Sequence, residues 1–357
     1  MEQKQKRDLR LDACRAYIMI YIVCVIHVVY WLDLGSEPLR SVLLFEMPLI
    51  FFVAGAAQSL RRGEPLPPLR RFVAGRARRV LLPFYLFLPV LFLWILFMTY
   101  VVGSDSVDIR NIPAPAIVYM LLTGGSVYIP FYGYTWFISI YFIILCSFPL
   151  QARLLSRCPG WLWLAANAAV VGALSLVRLP HFEYEIKELF VYNFFFITGY
   201  LFYRSVSRRT VWIAAAVSVP AAALSIATGA AVPMQWHKFP ADILFLVFGL
   251  AWLCALALLL WRARLPMPRV VALWNERGYT IYLWQIFAAC AVLHATEPWL
   301  DARSSGLWGF LVMALLVFAA NTAISYAACA YERACLRLIG AAGRAARRLL
   351  AKPPRNQ

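Results

Sequence analysis

Long apolar stretches separated by short polar segments recur along the whole chain. A stretch of about 17 to 25 apolar residues lets a helix cross a bilayer, and ten stretches reach or approach that length. They are residues 15–33, 42–60, 80–102, 134–152, 161–177, 188–203, 210–228, 242–262, 279–295 and 307–328. The pattern predicts an all-α, polytopic integral membrane bundle of about ten transmembrane helices, folded as a single domain over residues 1–357.

Composition and charge support this interpretation. Hydrophobic residues make up 63% of the chain and its mean hydropathy is +0.71, more than a soluble core requires. A net charge of +17 would suggest nucleic acid in a soluble protein. Here, however, 28 of the 34 lysines and arginines fall at the termini or around the loops that follow even-numbered spans. The positive-inside rule then predicts that both termini are cytoplasmic, with basic tails at 1–14 and 329–357 and no nucleic-acid partner.

Several kinds of chemistry lack a sequence signal. The eight cysteines fall in apolar spans or on the predicted cytoplasmic side, so no disulfide framework is expected. Neither CxxC nor HExxH occurs, so no metal site is predicted. The absence of GxxxxGK and GxGxxG patterns argues against ATP hydrolysis and dinucleotide redox chemistry, and no bound cofactor is expected.

His27 is an ionisable residue deep in the first apolar span. At 1.5 Å per residue it lies about 18 Å along the helix from Arg15, past the middle of a hydrocarbon core about 30 Å thick. Polar groups at such depth face the protein interior and mark a pathway or a reaction site. The alternative is a histidine that serves helix packing alone.

Further polar residues lie in the predicted spans: Glu46, Gln58, Asn193 and Asn321. Glu46 is close in depth to His27, where a carboxylate could orient the imidazole and stabilise its protonated form. The alternative for Glu46 is a headgroup-level residue that faces water. The remaining histidines are assigned to outer loops as surface residues: His181, His237 and His294.

Two long loops suggest contacts with substrates. The cytoplasmic loop Arg61–Arg79 is basic and proline-broken, and its Arg76 and Arg79, together with Arg15, could hold a phosphorylated donor. Arginines there also snorkel toward anionic lipid headgroups, which explains most of the cluster without a ligand. The outer loop 103–133 is rich in Pro, Gly and Tyr, so it suits either sugar stacking or an interfacial aromatic belt.

Six motifs in order, covering nearly the whole chain, resemble the acyltransferase type 3 family, the multispanning bacterial transferases that O-acylate surface glycans. They are LDACR followed by His27, MPLIFFVAG (47–55), RARRVLLPFY (76–85), TWFISIYFIILCSFPL (135–150), GYTIYLWQ (278–285) and ISYAACAYERACLRL (324–338). The last motif marks Ser325, Tyr326 and Glu332. Each motif alone is weak, but their order along the chain is specific.

The resemblance implies a multi-pass protein of the bacterial cytoplasmic membrane, in contact with membrane lipid, that transfers an acyl group. The donor would be an acyl-CoA, taken as cytoplasmic acetyl-CoA, and the acceptor a hydroxyl of a glycan or lipid-linked oligosaccharide at the outer face. His27 would be the general base. The other implied site residues are Arg15, Arg76 and Arg79 for donor phosphates, and Trp136, Tyr282 and Gln285 for substrate. Glu46, close in depth to His27, completes the candidate catalytic pair.

Two departures from the family pattern affect the predicted site. The family separates its arginine and histidine by eleven steps, about 1100°, whereas here twelve steps leave Arg15 and His27 about 120° apart. A π-bulge in the first helix would restore a common face. Gln285 stands where many relatives carry histidine, so it can orient a partner but cannot shuttle a proton near neutral pH.

A transporter is the competing hypothesis. Ten helices and a histidine within the membrane would also suit the movement of a glycan intermediate or a proton-coupled solute. No inverted repeat relates the two halves, and no paired Gly- or Pro-broken helices are recognised, so the pattern favours an enzyme.

Overall fold

A computed structural model describes residues 8–103, 113–123, 133–179, 183–296 and 306–350. Within these ranges the regular structure is helical, apart from an isolated bridge between Lys238 and Ala241. The helices are α1 Leu9–Tyr21, α2 His27–Trp31, α3 Glu37–Leu43, α4 Glu46–Ser59, α5 Leu69–Phe97, α6 Ala114–Thr123, α7 Phe137–Leu155, α8 Gly160–Ser175, α9 Glu183–Phe202, α10 Arg208–Ala227, α11 Met234–Lys238, α12 Ile243–Leu259, α13 Arg269–Thr296 and α14 Gly306–Leu350.

Helices occur at all ten predicted places. Seven helical segments in the described part of the chain are long and apolar enough to cross a bilayer, and α8 and α12 are shorter apolar helices. The shortest predicted span, 188–203, is longer than expected, because α9 begins at Glu183 and Lys187 pairs with that carboxylate at 2.6 Å. The predicted polytopic helical membrane bundle is therefore confirmed.

The first span contains a π-helical turn at Ile22–Ile26, between α1 and α2. Such a turn accommodates one extra residue, so the twelve steps from Arg15 to His27 turn the chain about as far as eleven α-helical steps, roughly 1100°. The two residues consequently lie within about 20° of a common face. The π-bulge that the residue spacing requires for a common face is present.

The second span is broken, although the apolar pattern predicted one helix over 42–60. The chain leaves the helix after Leu43 and α4 starts at Glu46. Pro48 explains the break, because its ring would clash with the carbonyl group four residues earlier, that of Leu44, and it has no N–H to donate. The apolar pattern did not predict this interruption, which makes Glu46 the first residue of a helix.

The cytoplasmic loop is shorter than predicted. Helix α5 begins at Leu69, so the loop covers only residues 61–68, and Arg76 and Arg79 lie on a helix. At the other end of the chain, α14 continues to Leu350, so the described part of the basic tail is helical.

The chain between α10 and α12 turns into the bundle instead of remaining in an outer aqueous loop. We call residues 230–242 the re-entrant segment. The backbone N–H of Met234 donates to Ser41 Oγ of α3 at 2.9 Å, and Lys238 forms an ion pair with Glu46. Both ionic side chains are buried, with exposed fractions of 6% and 3%. The ion pair explains why a lysine is accommodated here.

Two glycines allow α4 and α9 to approach closely. A Cβ atom at Gly55 would overlap the carbonyl oxygen of Phe196, and one at Gly199 would overlap the carbonyl oxygen of Phe52. Small residues at such positions let helix backbones approach within a membrane. The contact holds Glu46 and the rest of α4 against the wall formed by α9.

We expect Gly199→Ala to destabilise the protein by about 1–3 kcal/mol, because the added methyl group meets backbone that cannot rotate away. Thermal unfolding of the purified protein in detergent measures the effect. Gly172→Ala in α8 is the matched control, because a Cβ there meets open space. Equal unfolding temperatures for the two variants would show that the α4–α9 contact is looser than described.

Candidate functional site

His27 is the first residue of α2, directly after the π turn. Its imidazole stacks on Trp31 with ring centroids 4.8 Å apart and an interplanar angle of 10°. A spacing of four residues places the two rings one above the other on the same helix face. Tyr134 and Tyr282 lie at centroid distances of 6.1 Å each. The imidazole of His27 is therefore surrounded by aromatic rings from three segments of the chain.

Gln285 of α13 is the hydrogen-bond partner of the imidazole. His27 Nδ1 lies 2.5 Å from Gln285 Oε1, and Gln285 Nε2 donates to the carbonyl oxygen of Tyr282 at 2.9 Å. The amide oxygen can only accept, so it assigns the proton to Nδ1 and leaves Nε2 unprotonated. The structure thus assigns His27 the tautomer in which Nε2 can accept a proton.

Tyr134 and Tyr282 form a hydrogen-bonded wall beside His27. The Tyr134 hydroxyl donates to the carbonyl oxygen of Leu283 at 2.8 Å, and the Tyr282 hydroxyl donates to the carbonyl oxygen of Tyr134. These reciprocal bonds join α13 to the 3₁₀ turn Gly133–Trp136. The hydroxyl of Tyr282, a residue predicted to bind substrate, is therefore used in a hydrogen bond that holds two segments of the site together.

The sequence suggested that Glu46 could orient the imidazole of His27, but in the structure Glu46 pairs with another residue. Its Oε1 pairs with Lys238, while its buried Oε2 has no hydrogen-bond partner among the described residues. The orienting contact to the imidazole comes from Gln285 instead. The water-facing alternative for Glu46 also fails, because only 2% of the residue is exposed.

Lys238 and Trp31 are site residues that the sequence argument missed. Lys238 pairs with Glu46, the residue predicted to lie beside His27. Its position outside the cytoplasmic loops, against the positive-inside distribution, was an available signal. The signal for Trp31 was its spacing from His27, which is one helical turn.

Trp136 lies against α9 and the re-entrant segment. Its ring centroid is 5.5 Å from that of Tyr192 and 5.0 Å from that of Phe239, the latter at an interplanar angle of 90°. The predicted substrate residue is thus packed where the re-entrant segment meets the bundle.

The three candidate phosphate-binding arginines differ in their surroundings. Arg76 donates to Gln58 Oε1 at 3.1 Å and lies over the ring of Phe72 at 4.8 Å. The charge of Arg79, an exposed residue, acts on Arg76, so these two are close together. Arg15 instead pairs with Asp12 at 3.6 Å and keeps 43% of its side chain exposed. Arg76 and Arg79 therefore lie together on α5, and Arg15, on α1, has an ion-pair partner of its own.

The residues of the C-terminal motif join α13 to α14. Arg277 donates to Ser325 Oγ at 3.3 Å and lies 4.0 Å from the ring centroid of Tyr326. Thr280 donates to the carboxylate of Glu332 at 3.0 Å. These contacts hold the part of α13 that precedes Gln285.

The remaining polar candidates lie away from the imidazole. Asn193 donates to Asn167 at 3.4 Å, and Asn321 donates to a carbonyl of its own helix at 2.9 Å. A hydrogen bond to Asp242, 2.7 Å away, raises the pKa of His237. His294 lies in the last turn of α13, which corrects its assignment to a loop. His181 and most of the outer loop 103–133 fall outside the described residues.

Comparisons with known proteins identify the family. Searches of curated proteins and of solved structures gave no match. The family model of the type 3 acyltransferase domain matches residues 8–330, nearly the whole chain and all the elements that build the site. This match decides against the transporter hypothesis: the chain belongs to the acyltransferase type 3 family and is a multi-pass membrane acyltransferase.

Proposed function

We propose that the protein transfers an acetyl group from cytoplasmic acetyl-CoA to a hydroxyl of a glycan presented at the outer face of the bacterial inner membrane. The observation that carries the proposal is the contact between His27 and Gln285, which leaves Nε2 of the imidazole free to accept a proton. Membership of the acyltransferase family supplies the reaction type.

The reaction needs one proton acceptor. His27 Nε2 takes the proton from the sugar hydroxyl while the hydroxyl oxygen attacks the thioester carbonyl carbon. The new C–O bond forms, the C–S bond breaks, and the proton passes to the departing thiolate to give the CoA thiol. Gln285 Oε1 accepts from Nδ1 throughout, so it keeps the ring oriented and stabilises the imidazolium that forms transiently.

The donor approaches from the cytoplasmic side. Arg76 and Arg79 bind its phosphates, because guanidinium groups match phosphate oxygens in geometry and charge. The π turn places Arg15 on the face of the first span that carries His27, about 18 Å away along the helix. Arg15 therefore guides the donor along this face, and the thioester end reaches toward the imidazole.

The acceptor sugar approaches from the opposite side. Trp31 and Trp136 offer aromatic faces of the kind on which sugar rings stack, and Tyr282 and Gln285 form the wall of the site. Glu46 is a positioning residue, because it neutralises Lys238 and so holds the re-entrant segment against α4. A lipid-linked oligosaccharide satisfies the same requirements as a free glycan.

The proposal is tested by CoA release from acetyl-CoA with purified protein and a mixed pool of glycan acceptors. We expect release to require an acceptor and to fall about 10²- to 10⁴-fold in His27→Ala, the usual contribution of a general base. His294→Ala is the matched control, because this exposed histidine lies in the last turn of α13.

Two outcomes would contradict the proposal. Parental activity in a folded His27→Ala protein would exclude His27 as the base. Absence of CoA release from the folded parent with any acyl-CoA and a broad set of acceptors would exclude CoA thioesters as donors. CoA release with another acyl-CoA but not with acetyl-CoA would show that the protein transfers a different acyl group. The proposed role of His27 would be unaffected.

Gln285 is tested by a double-mutant cycle. Gln285→Met removes the acceptor for Nδ1, and we expect kcat to fall about 10- to 100-fold, as for the loss of a buried hydrogen bond. In the His27→Ala background the same substitution should have little further effect, because both residues act through one contact. Gln285→Glu keeps an acceptor oxygen and serves as the control. Additive losses in the double variant would show that Gln285 acts independently of His27.

Arg76 is tested through the donor. We expect Arg76→Gln to raise KM for acetyl-CoA about tenfold, because a charge-assisted hydrogen bond to phosphate is lost. With S-acetyl-pantetheine, which has no phosphate, parent and variant should behave alike. Arg78→Gln removes the same charge from an exposed neighbouring position and is the control. An equal rise with both donors would mean that Arg76 maintains the fold and does not bind phosphate.

A further inference from the structure

A cavity of about 750 Å³ lies between α1, α4, α9, α10 and α12. It opens on a different face of α1 from the one that carries Arg15 and His27. Leu11, Ile18 and Tyr21 of α1 line it, together with aliphatic and aromatic side chains of the other four helices. Its volume is within the range of about 300–1,000 Å³ typical of ligand pockets, but its walls are mostly apolar.

Polar lining residues gather at one end of the cavity. They are Arg10, Tyr203, Arg204 and Thr210, which lie where α1 and α10 begin and where α9 ends. The charge distribution along the chain assigns this end to the cytoplasmic side. Arg10 and Arg204 are both exposed, so their guanidinium groups reach the headgroup region.

The polar end of the cavity, which we call its mouth, carries an excess of positive charge. Arg204 pairs with Asp8 at 2.8 Å, whereas Arg10 donates to the neutral carbonyl oxygen of Leu260. Partial burial opposes ionisation of Asp8, but hydrogen bonds from Arg204 and Tyr203 and from backbone N–H groups lower its pKa overall, so the carboxylate is charged. One carboxylate therefore faces two guanidinium groups, and an anion can bind with net attraction.

An aromatic stack closes the inner end of the cavity. The ring of Phe45 lies 4.8 Å from that of Tyr21 and 4.2 Å from that of Trp252, in stacked geometry. Tyr21 is twelve residues beyond Leu9, about 18 Å along the helix, so the cavity is roughly as deep as one leaflet of a hydrocarbon core about 30 Å thick. Neither Glu46 nor the re-entrant segment lines the cavity.

The packing of α10 leaves this space unfilled by protein. Val211 and Ala215 form a small apolar cluster with Cys254 of α12, apart from the main core of the bundle. Protein interiors are otherwise packed densely, and atoms lining a void lose dispersion contacts. A flexible apolar guest would restore those contacts along the inner halves of both helices.

We propose that the cavity binds one anionic phospholipid of the cytoplasmic leaflet, with its acyl chains between α1, α10 and α12 and its phosphate at Arg10 and Arg204. An acyl chain fits the apolar walls and the one-leaflet depth, and the phosphate matches the cationic mouth. The site is independent of the proposed transfer reaction, because it uses another face of α1 and other arginines.

The test uses the full-length protein in nanodiscs of phosphatidylcholine with a minor fraction of phosphatidylglycerol that carries a photoactivatable acyl chain. After illumination, mass spectrometry maps the labelled peptides. We expect adducts on lining residues such as Cys14, Ala214 and Cys254 in excess of the outward-facing Ile213 and Val217 of α10. The same probe with a phosphatidylcholine headgroup should label the lining residues severalfold less.

Two pairs of variants test the binding of the acyl chains and of the headgroup independently. Ala214→Phe fills the cavity and should abolish lining adducts, whereas Ile213→Phe on the outward face should leave them unchanged. Arg204→Gln should lower labelling by phosphatidylglycerol about fivefold, the effect of about 1 kcal/mol per basic residue. Arg208→Gln, which removes a charge that does not line the cavity, should have less effect.

Three results would overturn the proposal. Equal labelling of lining and outward residues would mean that ordinary surrounding lipid was captured. Equal labelling by the phosphatidylglycerol and phosphatidylcholine probes would show that Arg10 and Arg204 do not select an anionic headgroup. Loss of labelling on addition of acetyl-CoA, or of an undecaprenyl-phosphate lipid, would assign the cavity to the donor or to a lipid-linked acceptor instead.

Discussion

The hydrogen bond between His27 and Gln285 is the contact on which the arrangement of the candidate site depends. It joins the first and ninth predicted spans, and the amide orientation that satisfies it also selects the imidazole tautomer. The bond depends on backbone geometry far from the chemistry. Without the π turn at Ile22–Ile26, the twelve-residue spacing would direct His27 and Arg15 to different faces of the helix. The rest of the site is arranged around this contact.

Polar groups buried in a bilayer must find partners within the protein, and this constraint explains the unusual elements near the base. The second span breaks at Leu44 because of Pro48, and the break places Glu46 at a helix start in the interior. Its carboxylate is matched by Lys238, which the re-entrant segment carries inward. Breaking such a buried pair costs more than the pair itself contributes, because one charge is left without compensation.

Two faces of helix α1 border different parts of the protein. One face carries Arg15 and, across the π turn, His27; the other borders an apolar cavity with a basic mouth. The aromatic stack of Tyr21, Phe45 and Trp252 lies at the inner end of the cavity. Helices α4 and α9 line the cavity as well, so α1 is one of several helices through which a change in the cavity can reach the site.

The sequence by itself determined the class of fold, the places of ten helices and the family, because apolar length, charge asymmetry and motif order are local properties of the chain. It also singled out His27, Gln285 and the need for a π turn. It did not determine that Gln285 and not Glu46 contacts the imidazole, that Lys238 lies buried, or that Arg15 pairs with Asp12. Those outcomes were decided by the tertiary structure, because the partner of a buried polar group depends on which helices meet and at what depth, and apolar periodicity carries no such information.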